Sequence, residues 1–178
     1  MTRFRRWLTC CALLLLAEAA LAQRQHDPLN ALEIDQLRDT AQDPEQRLKL
    51  YIKFARARLT ALEEARSDPK VTNRGQETHD RLQDFLDVYD ELNNNIDTYV
   101  DRKADLRKPL RAVGEADTEF QARLRALKDS AQASKDEIQQ YEFVLTNTLE
   151  TVDSSADDHR QLLAEQEEAA KHKKPTKH

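Results

Sequence analysis

Between Leu82 and Leu145 apolar side chains recur with a seven-residue period. Phe85, Leu92, Tyr99, Leu106, Val113, Phe120 and Leu127 form one file. Leu82, Tyr89, Ile96, Leu110 and Leu124 form a second, offset by three or four positions. Two such files give a helix a narrow apolar stripe that has to be buried against other helices. Upstream, Leu48, Ile52, Ala55, Leu59 and Leu62 repeat the alternation, widened by Tyr51 and Phe54. Downstream it returns through Ile138, Tyr141, Leu145 and Val152 to Leu162 and Leu163.

Punctuation divides these stripes into elements. Asp27-Pro28, Asp43-Pro44 and Asp68-Pro69 each read as a helix start, an N-capping carboxylate followed by a proline that fits the first turn. Ser134 with Glu137 is a capping-box pattern for the last helix. The predicted helices therefore cover about 28–41, 44–66, 69–128 and 135–169. The first carries Leu29, Leu32 and Leu37 on one side. Pro109 falls inside the third, where proline removes a backbone bond and clashes with the preceding turn. Lys108 is a poor N-cap, however, and the apolar phase passes from Leu106 to Leu110 and Val113 undisturbed, which predicts a kinked continuous helix. The fold class expected is all-α: an elongated antiparallel helical bundle or coiled coil with heptad seams. The alternative is a compact four-helix bundle broken at Pro109.

Composition supports this and adds a compartment. Two glycines and few β-branched runs leave little room for a sheet. Arg3, Arg5 and Arg6 precede a short apolar core, Trp7 to Leu16, and Ala20-Leu21-Ala22 is a small-x-small site. Residues 1–22 thus read as a secretory signal cleaved between Ala22 and Gln23, too short to span a bilayer. Cleavage leaves residues 23–170 as one helical domain with no transmembrane segment. Both cysteines leave with the signal, and with them any disulfide or thiol chemistry. The net charge moves from −5 to −7, which disfavours nucleic acid as a partner.

Candidate chemistry is sparse. None of His26, His79, His159, His172 and His178 follows a glutamate by three residues, as di-iron bundles require. His159, beside Asp157 and Asp158, reads as an exposed helical histidine. No nucleophile elbow, phosphate loop or zinc-protease motif occurs. No catalytic residue, metal ligand or cofactor is assigned, and the chain is read as a non-enzyme.

Charge patterning says more. Arg47, Lys49, Lys53, Arg56 and Arg58 form a basic run, either a patch for an anionic partner or one side of ion pairs with Asp80, Asp84, Asp87, Asp90 and Glu91 on an antiparallel neighbour. The acidic last helix is expected to face Arg102, Lys103, Arg107, Lys108 and Arg111. Residues 171–178 read as a disordered tail, in which Lys171, Lys173, Lys174 and Lys177 suit an anionic envelope surface. Asn93 falls on the stripe, where a polar residue can fix register or oligomer state, with an exposed helical asparagine as the plainer reading. Together these features predict a periplasmic or secreted interaction or scaffolding protein. It would bind a protein partner through helix faces, or self-associate through the heptad seam. A holdase chaperone and a bundle holding a metal or small ligand are the other readings.

Overall fold

The apolar files form the interior of a helical bundle. A computed structural model describes residues 28–130 and 133–172. The signal segment with its Ala22–Gln23 junction, the Asp27 cap, and Lys173, Lys174 and Lys177 lie outside them. Five helices follow one another: α1 (Ala31–Asp39), α2 (Pro44–Ser67), α3 (Arg74–Asp101), α4 (Arg107–Asp129) and α5 (Lys135–His172). No strand occurs among the described residues.

The four long helices form a ring in which α2 adjoins α3 and α4, and α5 adjoins α3 and α4. The backbones of the consecutive helices α3 and α4 do not adjoin, so they occupy a diagonal of the ring. Cross-helix bonds fix direction. Arg56 meets Glu119 and Arg123 meets Glu63, so α2 and α4 run parallel. Asn93 meets Ser155 and Leu106 meets Gln166, so α3 and α5 also run parallel. Every member of both heptad files is buried within this one chain. The seam is consumed internally and is not available for association.

Several expected boundaries are corrected. The first helix begins at Ala31, because Asn30 accepts from the Leu32 and Glu33 amides while Glu33 returns a bond to the Asn30 amide. On this short helix Leu37 is buried, whereas Leu32 points to solvent. Asp43 caps α2 as expected, accepting from the Gln46 amide. Asp68 does not start α3. It terminates α2, and its carboxylate bends the chain back by accepting from the Lys70 amide. Ser134 caps α5 by accepting from the Glu137 amide. That helix continues through His172, so Lys171 belongs to it and pairs with Glu168.

The predicted long helix over 69–128 is two helices. At the end of α3 the Lys103 amide donates to Val100 and the Ala104 amide to Tyr99, at 2.8 and 3.0 Å. This is a Schellman closure, with Lys103 at φ 58° in the left-handed position that glycine usually fills. Pro109 therefore falls in the first turn of α4, where its missing N–H costs nothing. Gln166 of α5 accepts from the Leu106 amide and donates to the Ala104 carbonyl, tying down the joint.

The left-handed Lys103 makes a sharp prediction. A side chain there costs about 1 kcal/mol relative to glycine, so Lys103→Gly should stabilise the fold by about that amount in urea unfolding. In an uninterrupted helix the same change would destabilise by about 1 kcal/mol, and that sign would restore the continuous rod.

Candidate functional site

A polar cluster sits where α3, α4 and α5 converge. Asp117 on α4 is only 1 % exposed, yet it carries a carboxylate. The Tyr89 hydroxyl from α3 donates to its Oδ1 at 2.8 Å. The His159 Nδ1 from α5 lies 2.9 Å from its Oδ2, and the Nδ1–H tautomer donates there. Both carboxylate oxygens are thus satisfied, which a buried acid demands. Burial first, then the Asp117 charge, pushes the Tyr89 phenol above its ordinary value and keeps it a neutral donor. One turn further along α3, Asn93 is half-buried and donates to Ser155 of α5 at 3.0 Å. Its Oδ1 is buried without a hydrogen bond among the described residues. Phe85 and Phe120 close over the cluster edge to face, 5.3 Å apart.

His159 is accordingly a correction. It is 5 % exposed, because it continues the stripe of Tyr141, Thr148 and Val152. Asp117 likewise falls in phase between Val113 and Phe120. Polar residues at stripe positions on two helices were the signal available in the sequence.

The structure disperses the basic run. Arg56 forms a forked pair with Glu119 of α4. Arg58 grips Glu33 of α1 at 2.6 Å and the Pro28 carbonyl. Arg47 reaches Asn95 and the Leu37 carbonyl, Lys49 pairs with Glu45 on its own helix, and Lys53 is exposed. None of these bonds goes to the acidic row of α3: Arg56 and Arg58 turn to α4 and α1, and Arg47 meets α3 at Asn95, beyond that row. Of the cations expected opposite α5, Arg111 pairs with Glu167, whereas Arg107 takes Asp105 and Lys108 takes Glu45. Glu33 shows what such pairing does. Burial pushes its carboxyl up, but the Arg58 bonds, the Asn30 amide and the charges of Arg58 and Lys53 outweigh burial and hold it low.

Summed by helix, the charges sort into walls. α2 carries six basic and three acidic residues, and α4 six and four. α3 carries eight acidic residues against two arginines, and α5 ten against three cations. Because α2 adjoins α4 and α3 adjoins α5, one side of the bundle is basic and the other strongly acidic. On the acidic side Asp90 is an exposed residue, yet partial desolvation of its carboxyl and then the charges of Asp87 and Glu91 raise it above the ordinary value.

No family model, curated protein or solved structure matches the chain. No group of three or more potential metal ligands gathers among the described residues, and no helix there is long and apolar enough to cross a membrane.

Two outcomes follow. Asp117→Ala leaves Tyr89 and His159 buried without their acceptor and should cost about 3–5 kcal/mol, against about 1 kcal/mol for Tyr89→Phe, both read by urea unfolding. A loss below 0.5 kcal/mol for Asp117→Ala, the size of an ordinary surface change, would mean that the carboxylate holds nothing together. Asp90 has a folded pKa above its unfolded one, so its ionisation weakens the fold as pH rises through that interval. Asp90→Asn should therefore raise the melting temperature at pH 7. The gain should vanish below about pH 4, where the native acid is itself protonated.

Proposed function

We propose that the chain is an exported, non-enzymatic interaction protein whose acidic α3–α5 wall docks a cationic partner. The observation that carries this reading is the segregation of charge: α3 and α5 lie side by side with eighteen carboxylates between them. Exposed members such as Asp90, Asp97 and Asp158 give that wall a net negative field. A wall of one sign attracts and orients an oppositely charged partner and repels the wrong one. Export, to the periplasm or beyond the cell, rests on the signal-like residues 1–22.

The apolar surface favours this reading over a holdase. Among the described residues the exposed large apolar side chains are Leu32 and Ile34 on α1 and Phe143 on α5, two helices whose backbones do not adjoin. Self-association through the heptad seam is set aside because that seam is internal. Lys171 spends its charge on Glu168, which weakens its claim as an anchor for an anionic surface.

An oligolysine probe against the full chain tests the wall directly. Binding should appear at low salt, fall at least tenfold between about 20 and 200 mM salt, and weaken several-fold in the combined Asp90→Asn, Asp97→Asn, Asp158→Asn variant. Equal binding of oligolysine and oligoglutamate would overturn the proposal.

A further inference from the structure

The end of the bundle opposite the Lys103 joint holds a cleft of about 290 Å³. It lies between the last turns of α2 and α4 and the first turns of α3 and α5. Its apolar lining comes from Leu59, Leu62, Ala126 and Leu127. Three arginines enter it from three different helices: Arg66, Arg74 and Arg123.

Two of these arginines are engaged. Arg66 pairs with Glu137 at 3.1 Å and lies over the Tyr141 ring. Arg123 bonds both oxygens of Glu63, at 2.7 and 2.8 Å. Arg74 differs. Its bond is a long 3.4 Å contact from Nη2 to the Asp68 carbonyl, and its Nε is buried with no acceptor among the described residues. A guanidinium in that state lacks the carboxylate fork it is shaped to receive. With Glu63 and Glu137 as the lining acids, the three arginines leave the cleft one positive charge in excess.

We infer that this cleft binds a monoanionic amphiphile of the fatty-acid type. The carboxylate forms a forked pair with the Arg74 guanidinium at the mouth, and the alkyl chain covers Leu59, Leu62, Ala126 and Leu127. A cleft with apolar walls and one unmatched cation has the usual anatomy of a small-ligand site. The excess charge selects an acid over the matching alcohol, and the leucine walls select a chain over a bare anion. The site takes only Arg74 of α3 and Glu137 of α5, at one end of the bundle and away in sequence from Asp90, Asp97 and Asp158 of the wall, and it stands whether or not that wall docks a partner.

Calorimetric titration of the full chain with decanoate, decanol and acetate tests this. Decanoate should bind one to one, with decanol and acetate each at least tenfold weaker. Arg74→Gln should weaken decanoate at least tenfold and leave decanol unchanged. Arg81→Gln, which alters an arginine outside the cleft, should change neither. Ala126→Glu places a carboxylate at the exposed lip and should abolish decanoate binding without touching the core, which covers the case of an unstable Arg74 variant. Decanol binding as tightly as decanoate, an unchanged affinity in Arg74→Gln, or no heat with decanoate would each overturn the inference.

Discussion

Three helices meet on one carboxylate, and the arrangement of the bundle depends on that meeting. Asp117 is tolerable in the interior only while both its oxygens are occupied. Occupying them requires Tyr89 of α3 and His159 of α5 to arrive at one level from two sides. A shift of either helix by a single turn would leave an acid, a phenol and an imidazole buried without partners. Apolar stripes alone tolerate such sliding, since leucine packs on leucine at many registers. The polar cluster removes that freedom, and Asn93 with Ser155 reinforces it one turn away.

The need to bring α3 and α4 together through their side chains also explains the joint between them. As a continuous rod they would point Tyr89 and Asp117 at different levels along one axis, more than seven turns apart. Reversing direction at Lys103 lays α4 across the ring, so that the Tyr89 hydroxyl and the Asp117 carboxylate touch. The strain of a left-handed lysine is modest beside the cost of an unsatisfied buried charge. Leu106 is fully buried at the joint and Gln166 clamps its backbone, so the turn is anchored to the bundle although Arg102, Lys103 and Asp105 are exposed.

The legibility of this fold was uneven for physical reasons. The apolar period exposed the helices and their buried faces, since every residue of the two files is in the core. Caps were readable where the side chain does the capping, as at Asp43 and Ser134. They misled where the same dipeptide has two uses: Asp68-Pro69 looks like Asp43-Pro44, yet Asp68 ends a helix. The Lys103 turn is written in backbone bonds, and no glycine marks it. The polar cluster was hidden because its members lie on three separated segments, and only the assembled ring shows them facing one point. The charge walls needed the order of helices around that ring, which a linear sequence does not display.

The sorting of charge has a consequence for the molecule as a whole. In an ordinary helix the electric moment runs along the axis. Here α2 and α4 point one way and α3 and α5 the other, so the axial moments oppose one another and largely cancel. What survives lies across the bundle, from the acidic pair of helices to the basic pair. Near a charged object such a body experiences a torque before it experiences contact. That torque turns it about its long axis until the side of opposite charge faces the object.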